Sequence, residues 1–160
     1  MGREGRRGFT LIELLVVVAI IGILAAIAIM NYLNGLQRAR QKRTMTDIRT
    51  IAQAWESMGA ESHGYNSAGF NFPSSPVTYA ELTSLVSPTY TKNLPRTDAW
   101  GRDFTFALDQ PIGGKSASTY AIRSAGADGL YESSYNPGPA PSFDCDIVYA
   151  NGAFVTYPEK

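Results

Sequence analysis

The sequence predicts an α+β fold in which a long N-terminal α-helix packs on a small antiparallel β-sheet. The first observation is an apolar run, residues 14–30, of seventeen residues without a charge. The second is an apolar stripe at spacings of three and four residues farther along the same predicted helix. The third is a C-terminal half with short aromatic and β-branched segments between turn residues, which is typical of a sheet.

The apolar run is long enough to cross a membrane. As a helix, residues 9–30 span about 33 Å, and a hydrocarbon core is about 30 Å thick. Three arginines precede the run, which favours a cytoplasmic N-terminus, although the basic residues within 38–49 oppose this orientation. No small-residue cleavage site with a polar start follows the run, so a cleaved secretory signal is not predicted. We expect a single span with the rest of the chain outside.

Residues 31–59 are predicted to continue the helix as an amphipathic stalk. Its apolar stripe consists of Met45, Ile48, Ala52, Trp55 and Gly59. We expect this stripe to pack on the globular region and the helix to end near Gly59, where glycine supplies a stop. The basic residues within 38–43 are predicted to meet lipid phosphates or solvent, because they lie just beyond the span.

Residues 60–160 are predicted to form a globular region with a sheet and an acidic loop. Thr78-Tyr79-Ala80-Glu81 matches a capping box and predicts a short helix. Asn151-Gly152 is a strong hairpin signal, and Gly113-Gly114 predicts another turn. Residues 62–76 are predicted to be a loop. Strands are expected near residues 104–108, 119–124, 146–149 and 153–157.

Composition and motifs give no case for an enzyme. The net charge is zero, so no overall basic field indicates a nucleic-acid partner. The single cysteine, Cys145, excludes an intrachain disulfide and a multi-cysteine zinc site. His63 is the only histidine in the sequence. The segment Gly113-Gly114-Lys115-Ser116 lacks the earlier glycine of a phosphate-binding loop, because Asp109 stands there.

Glu13 is the one carboxylate within residues 9–30. A carboxylate in an apolar helix is costly unless it is protonated, reaches the interface or is paired. One interpretation is an interfacial glutamate in contact with headgroup water. The other requires a cation: a cut between Gly8 and Phe9 would create an α-amino group one helical turn from Glu13. That amine and carboxylate could pair within one chain or between neighbouring chains.

The segment Gly8-Phe9-Thr10-Leu11-Ile12-Glu13, followed by the apolar run, resembles the class III signal of type IV pilins and type II secretion pseudopilins. The resemblance implies that residues 1–8 are a leader removed by a prepilin peptidase after Gly8, and that Phe9 is then N-methylated. It implies that Glu13 is the acidic assembly residue and that residues 9–30 form the filament core. In contrast to many pilins, the apolar segment has no proline.

A second set of segments comprises residues 97–104, which contain Asp98-Ala99-Trp100-Gly101, residues 120–129, which contain Ser124-Ala125-Gly126-Ala127-Asp128-Gly129, and Asp144-Cys145-Asp146-Ile147. This set resembles the major pseudopilin of type II secretion systems. This resemblance implies a Ca²⁺ site in the final loop with Asp128, Asp144 and Asp146 as ligands, and Ser124 as a less secure one. Carboxylate oxygens suit this hard cation. On residue types alone, Asp128-Gly129 also fits a simple turn with the other two acids solvated.

Together these resemblances imply a subunit stored in the bacterial inner membrane that polymerises with copies of itself into a periplasmic pseudopilus. Its expected partners are the prepilin peptidase, the inner-membrane assembly platform, minor pseudopilins and inner-membrane lipids. One alternative is a type IV pilus pilin of a surface filament for adhesion, motility or DNA uptake. Many major pilins have a C-terminal cysteine pair, which one cysteine cannot form. A second alternative is a signal-anchored periplasmic binding domain that does not polymerise.

Overall fold

The structure is a computed structural model that describes residues 8–62, 73, 75–109 and 119–159. These residues form two helices and a six-stranded, mostly antiparallel sheet, so the predicted α+β fold is confirmed. The elements in chain order are α1 (Leu11–Ser62), β1 (Ser75–Val77), α2 (Tyr79–Val86), β2 (Thr105–Leu108), β3 (Tyr120–Ser124), β4 (Gly138–Ala140), β5 (Ile147–Ala150) and β6 (Ala153–Pro158).

The chain divides into two compact units, Met1–Leu36 and Gln37–Lys160. The described part of the first unit is the beginning of α1, and every side chain from residue 11 to residue 36 is exposed. The second unit contains the rest of α1, together with α2 and the sheet. We call the second unit the head.

Within the head, α1 buries one face against the sheet. The predicted stripe is confirmed, because Ile48 and Ala52 are fully buried and Trp55 is 1% exposed. Ile51 and Thr44 are also fully buried and widen that face. Positions three and four residues apart lie on one side of a helix, so this spacing places them together. Burying a side chain of this size stabilises a fold by about 2 kcal/mol relative to exposing it.

The sheet has the strand order β1-β2-β3-β5-β6-β4, and only the β4–β6 pair is parallel. Phe106 of β2 lies opposite Ile122 of β3. The Trp55 ring of α1 lies 6.3 Å from the Phe106 ring and 4.9 Å from that of Tyr120, between ring centroids. Side chains alternate between the two faces of a strand. The even-numbered residues of β2 and β3 therefore face α1, and the odd-numbered ones lie on the second face.

The short helix α2 begins as the capping box predicts. The Glu81 backbone N–H donates to Thr78 Oγ1 at 3.2 Å, and the Thr78 backbone N–H donates to Glu81 Oε2 at 2.7 Å. These bonds satisfy two of the amides that a helix start leaves without a partner. They also lower the pKa of the Glu81 carboxyl below its ordinary value, with the Thr78 hydroxyl as the main cause. Leu82 and Val86 then enter the core.

Two strands were not predicted, and both lie at an edge of the sheet. The prediction of a loop over residues 62–76 is wrong at its end, where β1 begins at Ser75. The proline-rich segment before Asp144 contains β4. Each of these strands has three residues and contains a proline, Pro76 in β1 and Pro139 in β4. Proline lacks the backbone amide donor that an interior strand needs and is tolerated at an edge. A short edge strand that contains proline therefore has a weak sequence signal.

The remaining differences concern the ends of elements. The four predicted strands are observed with bounds shifted by about one residue, within the usual uncertainty of strand and helix ends. The expected helix end near Gly59 is wrong, because α1 runs to Ser62. A single glycine inside a helix costs about 1 kcal/mol and does not by itself end it. The predicted turn at Gly113-Gly114 lies outside the described residues.

Candidate functional site

The N-terminal site consists of Phe9, Thr10 and Glu13 at the start of α1. The Thr10 backbone N–H and hydroxyl donate to Glu13 Oε2 at 2.9 and 2.8 Å, and the Glu13 backbone N–H donates to Thr10 Oγ1 at 3.3 Å. This is a second capping box. Glu13 Oε1 forms no hydrogen bond with the described residues. Phe9 is 75% exposed.

The helix that follows this site presents apolar side chains on all sides. Within the described residues, one helical stretch, Leu11–Ala60, is long and apolar enough to cross a membrane. Its most apolar window has a mean hydropathy of 3.0, and none of that window is buried. A helix that is apolar all round requires lipid or neighbouring protein to cover it. The arrangement fits a membrane-anchored protein.

The structure places the three predicted calcium ligands in different surroundings. Asp128 is exposed, and its Oδ1 accepts a hydrogen bond from the Leu130 backbone N–H at 2.9 Å. That bond is typical of an aspartate-stabilised turn. Asp144 is exposed, and its backbone N–H donates to Ser142 Oγ at 2.9 Å. Asp146, by contrast, is fully buried. Two of the predicted ligands therefore face solvent and the third faces the interior.

The backbone nevertheless brings the two acidic segments together. The Ala127 N–H donates to the Phe143 carbonyl at 2.9 Å, which joins the turn at 126–129 to residues 143–145. Gly126 lies in the left-handed region with φ 61°, and a Cβ there would stand 2.6 Å from the carbonyl oxygens of Asp144 and Cys145. Only glycine allows this approach.

Over the described residues, however, no group of three or more acidic, histidine or cysteine side chains is arranged to hold a metal ion. Ca²⁺ takes six to eight oxygen ligands, and a single buried carboxylate supplies at most two. The side chains as placed do not form that donor set. Calcium binding at Asp128, Asp144 and Asp146 stays a prediction.

Asp146 is held by its own polar partners. Its Oδ2 accepts from the Glu132 backbone N–H at 3.1 Å and from the Tyr135 hydroxyl at 3.0 Å, and Arg123 donates to the same hydroxyl. Burial raises the pKa of the Asp146 carboxyl above its ordinary value, while these two hydrogen bonds and the Arg123 charge oppose the rise. Asp146 Oδ1 is buried and has no hydrogen-bond partner within the described ranges.

Sequence reasoning assigned no role to Asp98, which organises the Asp98-Ala99-Trp100-Gly101 segment. Asp98 is 4% exposed, and its Oδ1 accepts from the backbone N–H groups of Trp100 and Arg102 at 2.9 and 3.0 Å. Its Oδ2 accepts a hydrogen bond from Ser124 Oγ at 2.7 Å. The hydroxyl of Ser124, the less secure calcium candidate, is therefore bonded to Asp98. The sequence signal was a turn-forming aspartate before tryptophan and glycine.

The same segment attaches α1 to the acidic loops. Trp100 Nε1 donates to Gln37 Oε1 at 2.8 Å, and the Ala99 N–H donates to Thr44 Oγ1 at 3.1 Å. Arg102 donates to the carbonyl oxygens of Gly126 and Ala127. Bonds from a charged donor are stronger than neutral ones. The segment therefore fixes the turn that carries Asp128 relative to the stalk part of α1.

Comparison with known proteins identifies the N-terminal segment alone. The family profile described as the prokaryotic N-terminal methylation motif matches residues 3–29. No curated protein and no solved structure matches the chain significantly. The matched residues include Gly8, Phe9 and Glu13 and most of the exposed apolar stretch. The chain thus carries a type IV pilin-like methylation motif, which supports the pilin and pseudopilin superfamily and a structural subunit.

Proposed function

We propose that this protein is the subunit of a periplasmic pseudopilus of a type II secretion system. A prepilin peptidase removes residues 1–8, Phe9 becomes the N-methylated end, and the exposed apolar part of α1 moves from lipid into the filament core. The observation that carries the proposal is the exposed apolar helix, which begins beside the Glu13 carboxylate, whose Oε1 has no hydrogen-bond partner among the described residues. The methylation motif over the same residues supports it.

The pairing of Glu13 with a new amine is the physical step in this proposal. A lone charge in lipid or in a filament core is costly, and a neighbouring ammonium group offsets that cost only when both charges and their hydrogen bonds are satisfied. Thr10 holds Glu13 Oε2, which leaves Oε1 for the Phe9 amine of another copy. Because both sides of this transfer are apolar, hydrophobic burial does not drive it, and the charge pair instead fixes the register between copies.

The choice of a pseudopilus over a type IV pilus rests on the C-terminal segments. The Asp98–Gly101 turn and the acidic loops resemble the pattern of the major secretion pseudopilin, and the single cysteine cannot form a pilin-type pair. A type IV pilus pilin is the second candidate, favoured by the same methylation motif. Imaging of overproduced protein separates the candidates: short periplasmic filaments support the proposal, and long surface pili support the alternative. Absence of any polymer contradicts both.

Substitutions of Glu13 and Thr10 test the charge pair. Glu13→Gln keeps a capping side chain and removes the charge, whereas Thr10→Val removes the capping hydroxyl and keeps the charge. We expect Glu13→Gln to reduce filament yield at least tenfold and Thr10→Val to reduce it far less, as measured by shearing and immunoblotting. The membrane level and melting temperature of the head should match wild type in both variants. Normal filament yield from Glu13→Gln would contradict the proposed pairing.

The leader cut has its own test. Mass spectrometry of mature protein should show Phe9 as the first residue with one added methyl group. Gly8→Val, which places a branched side chain at the cut, should leave the leader attached and abolish filaments. Mature protein that still carries residues 1–8, or that begins beyond Met30, would overturn the polymer proposal.

A further inference from the structure

We infer that an internal cation, the guanidinium of Arg123, holds the acidic loop in this protein, in the place where the resemblance implies Ca²⁺. The inference rests on a cluster formed by Arg123, Tyr131, Tyr135 and Asp146. The cluster lies on the second face of the sheet, because Arg123 is an odd-numbered residue of β3 whereas Tyr120 packs on Trp55 of α1. The inference does not depend on whether the protein polymerises.

The guanidinium of Arg123 is stacked against the proline-rich segment that follows the Asp128 turn. Its central carbon lies 3.9 Å from the centroid of the Tyr131 ring and 5.9 Å from that of Tyr135. A cation over an aromatic face is attracted by the negative charge of the ring. The Tyr131 hydroxyl also hydrogen-bonds Thr105 Oγ1 at 2.5 Å, and Thr105 is the cross-strand neighbour of Arg123. The Tyr131 side chain therefore contacts residues of two adjacent strands, β2 and β3.

On its other side, the cluster includes the carboxylate of Asp146. Arg123 donates to the Tyr135 hydroxyl, which donates in turn to Asp146 Oδ2 at 3.0 Å, and the Glu132 backbone N–H reaches the same oxygen at 3.1 Å. The hydroxyl thus links a positive and a negative group. The segment from Tyr131 to Tyr135 is therefore held at both ends by groups of this chain.

This arrangement opposes a metal ion at Asp146. The positive guanidinium of half-buried Arg123 faces the carboxylate across one hydroxyl group and would repel a second cation bound there. Asp146 Oδ1 is the single feature that favours a further cation, since it is buried without a partner among the described residues. One oxygen is far from the six to eight that Ca²⁺ takes, and Asp128 and Asp144 are exposed.

The test uses the full-length protein in detergent micelles, first stripped with a chelator and then supplied with millimolar CaCl₂ or MgCl₂. We expect the melting temperature and the rate of proteolysis within residues 131–137 to be the same under all three conditions. A calcium-specific rise of several degrees, or calcium-specific protection of that segment, would overturn the inference.

Two variants test the internal cation directly. Tyr135→Phe removes only the bridging hydroxyl and should lower the melting temperature by about 3 °C and speed loop cleavage several-fold. Arg123→Met keeps an apolar stem without the charge and should have a larger effect, which calcium does not reverse. Tyr157→Phe is the matched control, because Tyr157 is 39% exposed on β6, and it should behave as wild type. Cleavage at the wild-type rate in Tyr135→Phe would disprove the role of the cluster.

Discussion

The two parts of α1 have opposite relations to their surroundings. From residue 11 to residue 36 every side chain is exposed, although most are apolar. From Gln41 to Trp55 the helix is far more polar, yet side chains three and four residues apart are buried. Apolar content alone therefore does not place a helix in a core; the periodic pattern does. The first part has no packing partner among the described residues of its own unit and requires lipid or neighbouring protein to cover it, whereas the second is covered by its own sheet.

The same local device starts a helix in each region. Thr10 and Glu13 form one capping box, and Thr78 and Glu81 form the other with nearly the same distances. In the head the box leads into buried Leu82 and contributes to a cooperative fold. At the N-terminus it leads into exposed apolar residues. Identical local chemistry thus has different consequences, because among the described residues tertiary packing follows the capping box in the head alone.

Removing a large side chain should give the largest contrast between the regions. Trp55→Ala should lower the free energy of unfolding of the head by about 4 kcal/mol, because it leaves a cavity against Phe106 and Tyr120. Ile27→Ala is the control in the exposed part of α1, where Ile27 is 60% exposed, and it should leave head unfolding unchanged. Urea unfolding of the full-length protein in micelles, followed by circular dichroism, measures both. An equal loss of unfolding free energy in Trp55→Ala and Ile27→Ala would contradict the division into units.

A smaller effect is expected at the junction of the acidic loops. Gly126→Ala places a Cβ 2.6 Å from two carbonyl oxygens at a left-handed φ, and should cost about 3 kcal/mol from clash and strain together. Gly101→Ala has a positive φ of 85° but no atom within 4 Å of the added Cβ. It should cost about 1 kcal/mol from backbone strain alone. Thermal melts of the two variants distinguish the cost of the close contact from the cost of the backbone conformation. Similar losses of stability in Gly126→Ala and Gly101→Ala would show that the loop contact is unimportant.

The smallest effect should come from the helix caps. Thr78→Ala removes the hydroxyl that accepts from the Glu81 amide and should destabilise the head by about 1 kcal/mol. Thr10→Ala makes the same chemical change at the start of α1 and should not alter head unfolding. Hydrogen exchange at the first amides of each helix should nevertheless increase in the corresponding variant. A fall in head stability from Thr10→Ala would show that the two regions are energetically coupled.

Much of the fold was predictable because it depends on short-range patterns. The helix stripe, the capping box at Thr78 and the hairpin at Asn151-Gly152 are each contained within a few residues, and each is confirmed. The edge strands β1 and β4 were missed, because pairing with a neighbour and not their own residues makes them strands.

The candidate sites were predictable only in part. The N-terminal segment was identified from contiguous residues, and the methylation motif matches it. The environment of Asp146 was not predictable, because its partner Tyr135 comes from a proline-rich segment, and Arg123, which donates to the Tyr135 hydroxyl, comes from strand β3. Nothing in the spacing of the acids indicated that Asp98 would take Ser124 as its partner. Long-range contacts of this kind depend on strand order, which the sequence pattern did not specify.

The prolines at the two outer strands limit how heads can associate. Pro76 and Pro139 interrupt the rows of amide donors on β1 and β4, the two borders of the sheet. A neighbouring copy therefore finds no continuous border on which to add a strand. In the proposed filament, many heads would then lie side by side without joining their sheets, and disassembly would not require breaking a shared sheet.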